Sequence, residues 1–397
     1  LLDDGVLVLN SIQSFRDATF ILRGFSGAGR FIPTTLLFRA IAFYFSGSDP
    51  QRWYIWQTVI LIVICLELAF IVRRYVPSRP AMFISVLFFL GSPALIENFY
   101  TLSKAEVYLL LCMSSAILIS TWYTSLQNRI VKMLVIIASF TFLLLSFGTK
   151  ETVLVSPFIF LVWLLISWGY SRKNSEYRTF LHSDLILLAG SFVSGAIYLA
   201  VRHYVLELNN PAAYAYVGEY QLFNIPKILF NLMSLSGWLV RDYPYLLPVF
   251  LAAMFLRPLR QTKLLFAILR WTVWMIAWVA ILLPWGYLGY YFLPFQFGAA
   301  VLSGIILDRM LLLLRSEHSS RSNVQPGESM RMTAPTRTVW VRVYCIATII
   351  LAVPPVINAS AYATAQLTLD KANWQFVEQA SELPPISQLL ISIPEEM

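Results

Sequence analysis

The sequence predicts an all-α, polytopic transmembrane helical bundle of about ten or eleven spans, with interfacial helices in its outer loops. Composition is the first reason: 58% of residues are hydrophobic and 13% charged, with mean hydropathy +0.68, against about 25% charge in soluble domains. The second is the recurrence of long apolar stretches with few turn signals, which a bilayer tolerates only as helices or closed barrels. Barrel strands would show ~10-residue alternating segments, and the sequence has none. The third is a basic bias on alternate loops.

Taking ~17 to 25 apolar residues as one span, helices are expected near 53–72, 81–97, 105–123, 132–148, 151–169, 184–201, 264–284, 290–307 and 340–357, with a shorter one near 244–257. Segments 31–45 and 225–240 each begin at a proline, and the first carries Arg39, so both read as interfacial or re-entrant helices. This divides the chain into a first extracytoplasmic loop with an interfacial helix (1–52), a transmembrane core with outer loops (53–357) and an extracytoplasmic tail (358–397). Stretch 316–338, rich in Ser, Arg, Gln, Pro and Gly, reads as a flexible cytoplasmic loop.

The loops after the first, third and fifth spans, and the two later loops of the same parity, hold 18 of the 29 Lys and Arg residues. These include Arg73, Arg74, Arg79, Arg129, Lys132, Arg172, Lys173 and Arg270, and Asp184 is one of the five acids on the same loops. Of the 21 acids, 16 lie elsewhere. The net charge of +8 therefore marks a cytoplasmic membrane surface, not a nucleic-acid groove. The chain opens Leu1-Leu2-Asp3-Asp4 without a basic signal-peptide region. Ten spans with the tail outside put 1–52 outside too, and parity then asks for an upstream eleventh helix.

Cys65, Cys112 and Cys345 fall in apolar stretches, and His182, His203 and His318 are scattered, so a His/Cys metal centre is not expected. Polar residues with a chemical option gather in the outer loops. Asp3 and Asp4 are adjacent carboxylates able to supply a general base, although paired acids also start ordinary helices. Arg30, in Gly29-Arg30-Phe31-Ile32-Pro33, either faces an anion or snorkels from a helix start. Glu97, Lys104 and Glu106 flank one outer turn; Lys150 and Glu151 sit in a tighter one, Gly148-Thr149-Lys150-Glu151. A Lys-Glu pair between long apolar runs is costly unless water, a partner or a ligand meets it; a mutual salt bridge is the competing reading. Arg202 and Arg241 complete a cationic set with Arg30, Lys104 and Lys150, suited to a phosphate or pyrophosphate. Tyr290 and Tyr291, with other aromatics, form either an interfacial belt or a sugar platform. Glu67 lies inside the first span and is expected to pair with a neighbouring helix.

The order of these motifs resembles the C-type (GT-C) membrane glycosyltransferases. The matching elements are Asp3-Asp4, Gly29-Arg30-Phe31-Ile32-Pro33, Ser92-Pro93 with Glu97, Thr149-Lys150-Glu151 with Pro157, and Tyr290-Tyr291-Phe292-Leu293-Pro294. Within that superfamily they look most like the protein O-mannosyltransferase and tetratricopeptide-linked O-mannosyltransferase branch, though no tetratricopeptide repeats follow the core. The resemblance implies transfer of a sugar from a polyprenyl-phosphate donor to a glycan, lipid or protein hydroxyl at the extracytoplasmic face of a bacterial or archaeal cytoplasmic membrane. Asp3 or Asp4 would be the catalytic acid residue of the first outer loop, and Lys150-Glu151 would lie near the donor. No certain cofactor is implied, with room for a divalent cation, and membrane lipid is the remaining partner. A transporter or flippase of a lipid-linked or anionic substrate, or a lipid-glycan polymerase or ligase, would share many of these features. A transporter would carry charge through the mid-membrane, where the sequence exposes only Glu67.

Overall fold

A computed structural model of the chain describes residues 31–47, 49–100, 104–209, 225–255, 262–284, 289–322 and 341–357, with short pieces between 11 and 23 and a few isolated positions beyond. Every regular element among them is helical. In chain order these are α1 (Ala18–Arg23), α2 (Pro33–Ser46), α3 (Pro50–Tyr75), α4 (Arg79–Leu90), α5 (Pro93–Tyr100), α6 (Glu106–Trp122) and α7 (Arg129–Phe147). A short 3-10 turn, Glu151–Val155, leads into α8 (Ser156–Ser171), followed by α9 (Arg178–Asn209), α10 (Ile225–Asp242), α11 (Leu246–Phe255), α12 (Thr262–Ala280) and α13 (Leu293–Ser322). The last is α14 (Val341–Ile357).

Local chemistry sets the boundaries. The Asp49 carboxylate accepts from the Gln51 amide at 2.9 Å and Pro50 opens α3, while Arg73 and Arg74 occupy its last turn, where the helix dipole favours cations. Asn128 caps α7 by accepting from the Ile130 amide at 2.8 Å. The expected single span 81–97 is instead broken: Gly91 ends α4, the Ser92 hydroxyl accepts from the Leu95 amide at 3.1 Å, and Pro93 restarts the chain as α5 at a 64° bend.

Among the described residues, six helices are long and apolar enough to cross a membrane, or seven if the bent α4–α5 pair is one span. The shorter apolar helices α6 and α14 fall below that length, and so the ten or eleven expected spans are not reached by this measure. The chain is an integral membrane protein built from packed helices. Its centre is α13, with 72% of its span buried inside the protein, as an all-round apolar helix demands. It packs on α4 so closely that a Cβ on Gly304 would overlap the Ser85 hydroxyl and the Ala81 carbonyl.

Buried polar groups tie the bundle together. Glu67 on α3 accepts from the Ser114 and Ser115 hydroxyls of α6, the inter-helix pairing expected for it. Arg74 donates to the Thr121 carbonyl at 3.2 Å, fixing the same parallel register of α3 on α6. One expectation is corrected here. Asp184 and Arg270 belong to no loop: they form an ion pair inside the bundle between α9 and α12, both at most 2% exposed. The Ser167 hydroxyl joins it, and the Arg270 guanidinium lies 4.2 Å from the Trp163 ring centroid. Glu67 is therefore not alone, since Arg39, Asp184, Arg270 and Asp308 are buried as well.

Candidate functional site

Alternating chain direction brings the start of α3, the end of α5, the starts of α6 and α8, the ends of α7 and α9, and the start of α13 to one end of the bundle. The turn Gly148-Thr149-Lys150 sits in the middle of that end. It is pinned by α2: the Thr34 amide donates to the Gly148 carbonyl at 2.9 Å and the Thr35 hydroxyl to the Thr149 carbonyl at 3.1 Å. A Cβ on Gly148 would overlap the Thr34 hydroxyl, so only glycine admits this approach.

Held this way, the Lys150 side chain turns into the protein. It is 6% exposed and forms an ion pair with Glu106, itself 2% exposed, at the first turn of α6. Its ammonium also lies 3.6 Å from the Tyr291 ring centroid, a cation–π contact strengthened by desolvation. Three of the sequence-predicted residues, Glu106, Lys150 and Tyr291, thus meet in one buried cluster. An ammonium carries three donors, and one of them is directed at Glu106.

Around the cluster runs a rim on the short turn Gly289–Phe292, against which α5 packs. The Tyr243 ring, between α10 and α11, contacts Phe292 with centroids 6.4 Å apart. Burial, together with the neighbouring Tyr245, Asp242 and Glu97, holds the Tyr243 phenol well above its ordinary range. Glu97 and Asp242 therefore lie within electrostatic reach of the same phenol. Arg241 forks onto Asp242 at 2.7 and 2.9 Å and stacks over Trp238 at 4.2 Å, with 57% of its side chain exposed. It belongs to the rim rather than to the buried cluster.

Arg202 lies one turn beyond Tyr198 on α9, and the Tyr198 hydroxyl donates to the Phe31 carbonyl at 3.0 Å. That places Arg202 beside the root of α2, with a buried Nε that has no hydrogen-bond partner among the described residues. Glu151 starts the 3-10 turn next to Lys150, and its Oε1 is buried and without a partner among the described residues. Lys104 is half-buried just before α6. For Tyr290 the backbone lies in the Gly289–Phe292 turn, and its side chain is outside the described residues. Asp3, Asp4 and Arg30 also lie outside the described residues. Among those described, no group of three or more His, Cys, Asp or Glu side chains gathers as a metal site.

Sequence reasoning missed Arg39, which is 5% exposed on α2 and within electrostatic reach of the Tyr108 phenol two residues after Glu106. Phe38 stacks on Tyr108 at 4.8 Å and 2°, locking that face of α2 to α6. A guanidinium in an interfacial helix reads as a snorkelling side chain, and nothing in the sequence alone signals its burial.

No protein-family profile and no curated protein matches the chain. Among solved structures, ArnT from Cupriavidus metallidurans bound to undecaprenyl phosphate is similar at TM-score 0.50 and 12% identity, covering 97% of this chain and 80% of its own. The Archaeoglobus fulgidus oligosaccharyltransferase in its apo form is similar at TM-score 0.49 and 13% identity over 84% of this chain. The archaeal oligosaccharyltransferase AglB from Archaeoglobus fulgidus, in complex with an inhibitory peptide and a dolichol-phosphate, reaches 0.43 at 14% identity. The chain spans about half the length of the archaeal enzyme, 48% in both structures. At this identity the likeness is one of fold alone, and it does not single out the O-mannosyltransferase branch. The chain shares its fold with ArnT over nearly its whole length.

Proposed function

We propose that the chain is a glycosyltransferase that moves a sugar from a polyprenyl-phosphate donor to an acceptor hydroxyl at the extracytoplasmic membrane face. The acceptor is a glycan, a lipid or a protein. The observation that carries this is the buried Lys150–Glu106–Tyr291 cluster at one end of a bundle that shares its fold with ArnT. A lipid-linked donor accounts for an embedded catalyst, because the tail stays in hydrocarbon while phosphate and sugar reach the helix ends. The basic residues Arg73, Arg74, Arg79, Arg129 and Lys132 lie at the opposite end, which supports an extracytoplasmic position for Lys150. Arg202 and Lys104 are the further cations of the phosphate site, with the O-mannosyltransferase-like motif order as a guide.

In the step proposed, the acceptor oxygen attacks the anomeric carbon as Asp3 or Asp4 takes its proton. The bond from that carbon to the phosphate oxygen breaks, and the lipid phosphate leaves with the electron pair. Direct displacement inverts the anomeric centre, by the geometric logic of inverting glycosidases. Lys150 meets the charge growing on the phosphate, a contribution of about 10²- to 10³-fold for one positioned donor.

Release of undecaprenyl phosphate from its glycosylated form, followed in proteoliposomes with mixed acceptors, tests the reading. Asp3→Asn or Asp4→Asn should slow release by ~10²- to 10⁴-fold. If neither does, the base assignment is wrong; uptake of the lipid-linked sugar with no covalent product would favour a transporter instead.

A further inference from the structure

Buried polar groups in this bundle are mostly satisfied in place. Ser139 and Ser146 donate back to their own helix carbonyls, Glu67 takes two hydroxyls, and Asp184 takes Arg270. Thirteen buried side-chain nitrogen and oxygen atoms among the described residues depart from that habit, and three of them sit on the elements that follow or face the Lys150 turn. The Ser156 hydroxyl is 0% exposed and the Trp278 indole 2% exposed, and neither Ser156 Oγ nor Trp278 Nε1 has a hydrogen-bond partner among the described residues. Glu151 Oε1, a turn before Ser156, shares that condition.

Helical geometry brings Ser156 and Trp278 level, and the turn that holds Glu151 leads directly into the helix that Ser156 opens. On α8 the buried stripe is Ser156, Ile159, Phe160, Trp163 and Ser167, so Ser156 lies two turns above Trp163 on the same side. On α12, Trp278 lies two turns above Trp271 in the same way. Trp163 touches Trp271 and Trp274 with centroids 5.3 and 5.9 Å apart, and its indole donates to the Arg270 carbonyl at 2.7 Å. This antiparallel register carries Ser156 to the level of Trp278. The 3-10 turn holding Glu151 packs against α12 as well.

We infer that Glu151, Ser156 and Trp278 form the subsite for the donor's sugar ring, a conclusion that rests on the glycosyltransferase reading above. A carboxylate oxygen accepts, an indole N–H donates and a hydroxyl does both, which is the mixture that sugar hydroxyls match. The neighbouring Trp274, 5.8 Å from Trp278, gives apolar ring faces for the sugar's C–H groups. A phosphate is excluded from this spot by the Glu151 carboxylate and is drawn instead to Lys150 next to it. The chain order Lys150-Glu151 then sets phosphate and sugar side by side, as they are in the donor.

The test uses the full chain in nanodiscs and three probes: undecaprenyl phosphate, undecaprenyl phosphoryl glucose and undecaprenyl phosphoryl mannose, with affinities read by native mass spectrometry. One hydrogen bond is worth about five-fold in affinity. Wild-type protein should bind at least one glycosylated lipid more tightly than the bare one. Trp278→Phe, which keeps the ring and removes the N–H, should cut that preference about five-fold with bare-lipid affinity unchanged, as should Ser156→Ala. Glu151→Ala, which removes the acceptor, should cut the preference as well. Lys150→Met should weaken all three lipids alike. Equal binding of the three lipids by wild type would overturn the subsite and leave the phosphate site standing. A preference that survives all three substitutions, with only the melting temperature lowered, would show that these groups hold structural water and overturn it too. Failure to bind any of the lipids would remove both the subsite and the function it rests on.

Discussion

Lys150 and Glu106 are the pair most exposed to experiment, since each is buried against the other. Side-chain exposure is 8% for the lysine and 3% for the glutamate, so solvent does little to screen them. Removing one partner leaves a desolvated charge, at a cost of about 3–5 kcal/mol. Lys150→Met also removes the contact over Tyr291, worth about 1–2 kcal/mol when desolvated. Removing both charges in Lys150→Met with Glu106→Gln restores most of the first loss but none of the second. The cycle should therefore show a coupling of about 3 kcal/mol, measured by equilibrium unfolding of the purified protein in mixed detergent micelles. Additivity of the two substitutions within about 0.5 kcal/mol would refute the buried pair. The double variant also separates folding from function, because it should fold and still fail to bind undecaprenyl phosphate.

Other consequences are simpler to state. Gly148→Val should destabilise the protein by about 1–3 kcal/mol and raise the KM for donor, because its side chain meets Thr34 and shifts Lys150; an unchanged KM would contradict the pinned turn. Arg270→Met should cost about 3–5 kcal/mol by stranding Asp184, with undecaprenyl phosphate affinity retained, as calorimetry and native mass spectrometry would report. At alkaline pH, the raised Tyr243 phenol contributes stability in full below about pH 10. That contribution is lost as pH climbs through the higher folded value, so Tyr243→Phe should lose less stability than wild type between pH 10 and 12.

Much of this architecture was readable because a bilayer leaves few options. Apolar length located the helices, and proline marked the starts of α2 and α10. The Lys150-Glu151 turn stood out as charge between long apolar runs, and its cost in lipid is what makes Glu106 and Tyr291 close on it. Span counting went less well where helices are short or bent: Ser92-Pro93 splits one stretch by a turn whose angle hydropathy does not encode. Asp184 and Arg270 were assigned to loops because each sits near the end of an apolar run. Their pairing spans two helices far apart in the chain, and a single sequence holds no trace of it. Ser156 and Trp278 were invisible for another reason: serine and tryptophan are ordinary in membrane helices, and only the facing registers of α8 and α12 bring them level.

Where the lipid phosphate binds is the question closest to the central claim. An electron cryomicroscopy map of the full chain in nanodiscs with undecaprenyl phosphate would answer it. The expected result is phosphate density about 2.8 Å from Lys150 Nζ, the length of a charge-assisted hydrogen bond, with the isoprenyl tail leaving toward lipid. Density for the phosphate at the opposite end of the bundle, among Arg73, Arg74 and Arg129, would contradict it.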